Sequence, residues 1–429
     1  MDYSKLKFDT IQIHAGRDRD DATCARGIAI RPTSAYTFPS CDYAARLFEL
    51  SQPGNIYTRL QNPTTAAYEE RIAALYGGVG ALATSSGMSA ILTAITSLAS
   101  GGDTIVASPF LYGGTYNLFR HTLRRLGINV AIAESADPAD FARALESAPR
   151  VRAVFAESMG NPTCDVVDIE ALASIAHNAR VPLIIDNTFG AGGYLCNPLQ
   201  WGADIIVDSA TKWINGHGTA MGGIIVDGGK FDWTGFDAVD APDAGYHGLN
   251  FREAFGPAAF ITKCRVDGLR DLGTCPSPFD SYLMLLGLET LSLRVRHQAE
   301  STRRIATYLR NHPRVKRVSY VGFEDHPSHA LAAKYFRGGG SCVFNVELNG
   351  TLDSTVRFVE ALKLVAHMTM IGDSISVVTH PASTTHKQLS EADLAKAGVT
   401  PTLLRVSPGL EDPDDIIADF EQAFEAIDR

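Results

Sequence analysis

From about residue 66 onward, the hydrophobic positions fall into two alternating patterns. AAYEERIAALYG repeats its apolar residues at helical spacing. VGALATSS, DTIVAS, INVAIAE, RAVFAES, PLIIDN, ADIIVD and GGIIVD are short apolar runs that predict strands. Between them GMSAILTAITSLAS, YGGTYNLFRHTLRRLG, DPADFARALES and DIEALASIAHNAR predict helices, the third with Asp137 as N-cap. Strands alternating with helices predict an α/β fold, a mostly parallel sheet covered on both faces. Ligands of such sheets sit beyond the carboxyl ends of the strands. Ser85, Ser86, Glu157, Asp186, Ser209 and Lys212 all lie at or just past those ends.

The pattern divides the chain into three parts. Residues 1–65 are irregular, rich in Pro, Asp, Ser and Thr, with a weak helix at DYAARLFELS; they read as an arm that packs on something else. Residues 66–285 hold the main sheet, ending in a loop-rich stretch over 228–280. A long helix is predicted to begin near Pro278 and run to about His312. The remainder, 286–429, carries a second, smaller α/β unit: VKRVSYV, SCVFNVEL, TVRFVEALKLV, SISVVTH, TLLRVS and a last helix DDIIADFEQAFEAI. No internal repeat or low-complexity tract is evident.

Composition narrows the class. At 429 residues with 45% hydrophobic and 20% charged positions, the chain reads as an ordinary globular protein with ample core. A net charge of −10 argues against a nucleic-acid backbone or an anionic membrane as partner. The seven cysteines show no CxxC spacing, so reduced thiols in a cytoplasmic setting are expected, without disulfides or zinc. MDYSKLKFDT has no signal-peptide core and no apolar run spans a membrane.

The chemistry concentrates at three strand ends. In VDSATKWINGHG (207–218) a buried-looking strand runs into Ser209, Thr211 and Lys212. Alone, that lysine reads as a solvated rim residue sooner than as a nucleophile held in place. SSGMSA (85–90) joins a strand to a helix; Gly87 permits a tight turn and the next amides can cradle an anion. Alone, it is an ordinary turn. YGGVGALA (76–83) mimics a dinucleotide fingerprint but precedes its strand, which is the wrong geometry. Asp186 ends PLIID, and residues 187–202 are long enough to cross back in parallel, so Asp186 and Lys212 can share one sheet edge. A lysine for an imine, an acid for a ring nitrogen and donors for a phosphate are what a pyridoxal phosphate site requires. A free lysine titrates near ~10.4, so burial or a neighbouring cation must activate it. His326 and His329 lack a third metal ligand and are assigned to the surface; no role is assigned to His380 or His386.

DSATKWINGHGTAMGG resembles the lysine segment of the Cys/Met-metabolism family of pyridoxal-phosphate enzymes. IYTRLQNPTT, SSGMSAI, LYGGTYNL, ESMGNPT, IIDNTFG, HPASTTH and LLRVSPGLED follow in the family's order, so the resemblance covers nearly the whole chain. It implies a fold-type I transferase binding pyridoxal 5'-phosphate and no metal. Lys212 would carry the cofactor as an imine and act as acid–base group, Asp186 would pair with the ring nitrogen, and Tyr112 would stack on the ring. Gly87, Met88, Ser209 and Thr211 would hold the phosphate, with Tyr57 and Arg59 reaching it from the arm of a neighbouring subunit. Tyr57 would also touch substrate, Asn161 would lie near the ring hydroxyl, and Arg405 would grip the substrate carboxylate. Family members are commonly homotetramers, dimers of dimers.

Residues 241–280 are longer than lyases and cystathionine synthases usually carry, and AFITKCRVDGLRDLGTCPSPFD resembles the sulfhydrylase branch. That implies γ-replacement on O-acetyl-L-homoserine by sulfide or methanethiol, giving homocysteine or methionine and acetate. The alternatives are a cystathionine or methionine γ-lyase and a cystathionine γ-synthase. Arg31-Pro32 and Ile375 depart from residues usual in relatives and leave the acyl group and the thiol open.

Overall fold

A computed structural model of the chain describes residues 2–17, 24–161, 163–384, 398–425 and 427. His386, with the end of HPASTTH, lies outside them. Seven of the apolar runs form one sheet: β1 (Gly80–Thr84), β2 (Thr104–Ala107), β3 (Asn129–Ile132), β4 (Val151–Glu157), β5 (Leu183–Asp186), β6 (Ile205–Asp208) and β7 (Gly223–Asp227). Their order is β1-β7-β6-β5-β4-β2-β3. β3, β2, β4, β5 and β6 pair in parallel, and β7 runs antiparallel to both β6 and β1. β2, β6 and β7 are buried along their whole length, as strands covered on both faces must be. The α/β architecture is therefore the one the alternation predicts.

Register fixes the chemistry. Glu157 pairs with Asp186, and Asp186 with Val207, so Glu157, Asp186 and Asp208 end three adjacent strands. A one-residue slip would turn each of them to the opposite face.

The arm is only partly independent. Helix α1 (Phe8–His14) buries Ile11 against the main core, and the buried Arg71 Nε donates to the Ala15 carbonyl at 2.8 Å. Helix α2 (Cys41–Phe48), capped by Ser40, is the weak helix of the sequence. Helix α3 (Pro63–Tyr76) starts from an Asn62 cap with Pro63 in its first turn. Helix α4 (Gly87–Thr96) follows β1.

Three elements depart from expectation. The long helix breaks at Thr290 (φ −118°, ψ 7°) into Pro278–Glu289 and Leu291–Arg310. Residue 286, the expected boundary, thus lies inside the first of these. Residues 251–272, expected as loop, are largely helical after a small hairpin of β8 (Pro242–Asp243) and β9 (Leu249–Asn250). Phe260, Ile261, Cys264 and Leu269 recur at helical spacing there and are all buried. The helix after Tyr112 contains a π-helical stretch, Leu118–Thr122. The wider turn keeps Leu118 and Leu123, five positions apart, both in the core.

A five-stranded sheet forms the smaller unit: β10 (Val315–Ser319), β11 (Phe344–Leu348), β12 (Ala366–His367), β13 (Val377–Thr379) and β14 (Leu403–Ser407), in the order β10-β11-β14-β13-β12. Ile305, Leu309, Phe344, Phe358, Val406 and Phe420 make its core. Among the described residues no helix is long and apolar enough to cross a membrane.

Candidate active site

Lys212 is placed by its neighbours. After β6 the chain turns, with the Lys212 amide donating to the Ser209 carbonyl at 3.0 Å. Ala210, Trp213 and Ile214 are buried on either side of it. Trp213 Nε1 donates to Gln298 Oε1, and Arg294 Nη2 donates to the Trp213 carbonyl. The lysine is therefore held by core on both sides while its own amine points to Met370 Sδ, 3.1 Å away. Burial, helped by the nearby Arg405 guanidinium, pulls the amine down to about 8. That is the direction a neutral-pH nucleophile needs.

Asp186 accepts from the Thr188 amide (3.0 Å) and hydroxyl (2.7 Å) through one oxygen. Burial raises its carboxyl, opposed by those two bonds. Asp186 would hold a protonated ring nitrogen there, and that cation would favour its charged form. Glu157 and Asp208 are driven well up, by burial first and by Asp186 second. Glu157 accepts from the Tyr112 amide, and Asp208 from the Tyr76 hydroxyl. Tyr112 is 44% exposed, open for a flat partner to stack on its ring.

The turn SSGMSA is built as a cradle. Ser86 caps α4 through the Ser89 amide, and the Ser89 hydroxyl returns the bond. The first amides of a helix have no intrahelical acceptor, so those of Gly87 and Met88 face outward. Gly87 abuts Ser209: a Cβ there would lie 2.8 Å from the Ser209 Cβ. This brings the helix start against the lysine turn, as a shared phosphate site demands. Thr211, between Ser209 and Lys212 in the same turn, bonds the Gly222 backbone through its hydroxyl.

Arg405 comes from the smaller unit, on β14. It is 4% exposed and bonds Asn161 Oδ1 (2.8 Å), Thr379 Oγ1 (3.2 Å) and the Met370 carbonyl (3.5 Å). Among the described residues its buried Nε has no hydrogen-bond partner. A buried guanidinium with a donor to spare suits a carboxylate ligand. Asn161 is thus tied to Arg405.

Lys212, Asp186, Tyr112, Ser209, Gly87, Met88, Asn161 and Arg405 gather at one end of the sheet. Tyr57 and Arg59 stand apart: Arg59 Nη1 donates to the Arg270 carbonyl and its guanidinium lies 5.4 Å from the Tyr57 ring. The amine, the strand-end acid and the helix-start cradle fit pyridoxal phosphate. Thr188, Glu157's bond to Tyr112 and Met370 were missed in the sequence, although Glu157 and Thr188 stand beside named residues. His326 corrects an expectation: its side chain is only 6% exposed and meets Ser319 and, at 3.9 Å, Asp165. His380 is buried on Ser383 and the Pro401 carbonyl. Among the described residues no cluster could hold a metal, and all seven cysteines are free.

The chain is 49% identical to a homocysteine synthase of Schizosaccharomyces pombe over 97% of its length and 98% of that protein. It is 47% identical to O-acetyl-L-homoserine sulfhydrylase 1 of Thermus thermophilus, covering 97% of this chain and all of the other. A crystal structure of a putative O-acetylhomoserine (thiol)-lyase from Campylobacter jejuni, containing N'-pyridoxyl-lysine-5'-monophosphate, superposes with a TM-score of 0.93 at 35% identity. It covers 98% of this chain and 100% of that one. With residues 9–425 matching the model of the Cys/Met metabolism PLP-dependent enzymes, the chain belongs to that family.

Proposed function

We propose that this chain is a PLP-dependent O-acetylhomoserine sulfhydrylase, converting O-acetyl-L-homoserine and sulfide (or methanethiol) to L-homocysteine (or L-methionine) and acetate. One observation carries the reading: Lys212 and Arg405 converge on Met370, the amine at its sulfur and the guanidinium at its carbonyl. An amine and a guanidinium therefore meet across one residue, as a site that holds an α-amino acid by its carboxylate and works at its α-carbon needs.

Bound pyridoxal phosphate supplies an electron sink for charge developing at the substrate carbons. Asp186 keeps the ring nitrogen protonated. Lys212, readily neutral with its amine near 8, takes the α-proton and returns it later. Arg405 fixes the carboxylate, and with it the α-carbon opposite Lys212. Tyr112 covers one ring face. Lys212 also moves a proton at the β-carbon. Removal of that proton supplies the pair that expels acetate from the γ-carbon with the bonding electrons. The thiolate bonds that carbon, and protons return to the β- and α-carbons.

Tyr57 and Arg59 serve the neighbouring subunit's phosphate site, in a homotetramer built as a dimer of dimers and working in the cytoplasm. The 41% exposure of Tyr57, and contacts of both residues away from Lys212, support the shared site; the buried free thiols support the compartment.

The test is incubation of O-acetylhomoserine with and without sulfide. Homocysteine and acetate formed only with sulfide is the expected result; ammonia and a keto acid without it would identify a γ-lyase instead. Borohydride should bleach the yellow protein and leave the label on Lys212.

A further inference from the structure

Residues 368–373 form a strap between the lysine turn and the smaller sheet. At one end the Met368 amide donates to the Val378 carbonyl (3.1 Å), and its carbonyl accepts from Thr379 Oγ1 (2.7 Å). At the other, the Gly372 amide donates to Ser407 Oγ (3.1 Å), and the Asp373 carbonyl accepts from Gln298 Nε2 (2.7 Å). Gln298 is the same residue that holds Trp213, next to Lys212. Gly372 has φ +70° and lies so close to Trp213 that a Cβ would fall 2.5 Å from its ring. Only glycine meets both conditions. The strap is thus pinned at both ends and pressed on the indole, and Met370 stands at its middle.

We propose that Met370 is a positioning residue whose thioether fixes the Lys212 amine while its carbonyl fixes the Arg405 guanidinium, so that one residue sets the base against the carboxylate anchor. The sulfur lies 3.1 Å from Lys212 Nζ and the carbonyl oxygen 3.5 Å from Arg405 Nη2. A thioether has lone pairs and no proton, so it accepts from the amine without competing for its lone pair. A hydroxyl in that place could donate to the lone pair and blunt the base. The contact directs one N–H toward sulfur and leaves the lone pair free for the substrate. Arg405 and Asp373 are the charged groups whose fields reach the amine, the first favouring its neutral form and the second its charged form.

The inference rests on Lys212 being the working lysine, and its test is separable from that reading. Met370→Leu keeps the volume and removes the acceptor. Met370→Gln restores an acceptor, now oxygen. The pH midpoint for modification of Lys212 by an amine reagent is read by peptide mass spectrometry on the full chain freed of cofactor. Removing an acceptor costs the ammonium more than the amine. The midpoint should therefore fall by about half a unit in M370L, the size of a weak hydrogen bond. It should stand at or above the parent value in M370Q. In the reconstituted enzyme, kcat of M370L should drop about three- to tenfold with KM for the amino acid within about twofold, because the main-chain carbonyl is untouched. M370Q should recover part of the loss. An unmoved midpoint in M370L, or equal shifts in both variants, would overturn the proposal. Borohydride label on another lysine would overturn the functional reading instead, and the midpoint in the cofactor-free chain reports on Met370 in either case.

Discussion

Glu157 Oε1 accepts the backbone amide of Tyr112 at 2.5 Å, and Asp186 is the residue beside Glu157 on the next strand. The carboxyl therefore anchors the loop that presents the Tyr112 ring. Burial, then the neighbouring Asp186, drives it well above the usual range, which favours its protonated form and leaves the negative charge to Asp186.

A neutral, isosteric amide should do the same work. Glu157→Gln is expected to fold, bind cofactor and remain at least as stable as the parent at pH 8. The sign follows from the raised carboxyl: the native state holds a proton the unfolded chain releases, so this group weakens folding as pH rises from its ordinary range. Glu157→Ala leaves the Tyr112 amide without its acceptor and should cost about 1–3 kcal/mol. Thermal melts from pH 5 to 8 check both variants; a Gln variant as damaged as the Ala variant would show that the charge itself is needed.

The cradle can be filled without touching its polar groups. Gly87→Ala puts a methyl within 2.8 Å of the Ser209 Cβ and 3.0 Å of its Cα, and backbone on that side cannot yield cheaply. Overpacking of this kind costs about 1–3 kcal/mol, which here falls on the helix start and the lysine turn together. Cofactor affinity, measured by fluorescence on titrating pyridoxal phosphate into stripped protein, should fall about tenfold or more.

The main sheet was legible because its strands are apolar runs bounded by turn residues, and strand-end placement alone marked Ser85, Glu157, Asp186 and Lys212. The helix over 251–272 was obscured by flanking Gly, Pro and aromatic residues, although Phe260, Ile261, Cys264 and Leu269 carry its period. The break at Thr290 comes three residues after Gly287, whose carbonyl accepts the Thr290 amide at 3.3 Å. Gly287 packs so closely on the lysine turn that a Cβ would lie 2.2 Å from the Ile214 carbonyl oxygen, so the break depends on tertiary packing. Met370 left no local signal, since its role exists only where the strap passes between β6 and β14. Arg405 reads locally as a strand residue; only the family's motif order marked it, and the structure adds its burial and its spare donor.

Arg405 tests the anchor. Arg405→Lys keeps the charge but loses the fork that reaches Asn161 and Thr379 together. Charged hydrogen bonds contribute about 1.5–3 kcal/mol each, so KM for O-acetylhomoserine should rise about ten- to a hundredfold, with the visible absorbance of bound cofactor unchanged. A KM within twofold of the parent would remove Arg405 from the substrate site.

Lys212 carries a stability signature of its own. Its amine falls from 10.5 to about 8 on folding, chiefly through burial. Between those values the unfolded chain binds the extra proton, so the cofactor-free protein should gain stability as pH rises from 8 to 10. Lys212→Met removes that dependence and should stabilise the stripped protein by about 3 kcal/mol at pH 7, while abolishing turnover. Denaturant melts at pH 7 and 10 on both proteins check it; parallel curves would mean the amine is solvated.

The arm is tested by mixing subunits. Arg59 reaches the Arg270 carbonyl and Tyr57 in its own chain, with no described contact to Ser209, Thr211 or Lys212. If it completes a partner's site, a site needs Lys212 from one chain and Arg59 from another. Lys212→Ala and Arg59→Ala homomers would each be defective at every site. A hybrid dimer of the two concentrates both defects in one site and leaves its other site whole. Random association makes half the dimers hybrids, so co-expressed chains should recover about one quarter of the parent activity. If Arg59 serves its own chain, every site in the hybrid keeps one defect and co-expression recovers nothing. Purifying the hybrid through two different tags before assay separates the outcomes, because a sample that holds both chains and stays inactive assigns the arm to its own subunit.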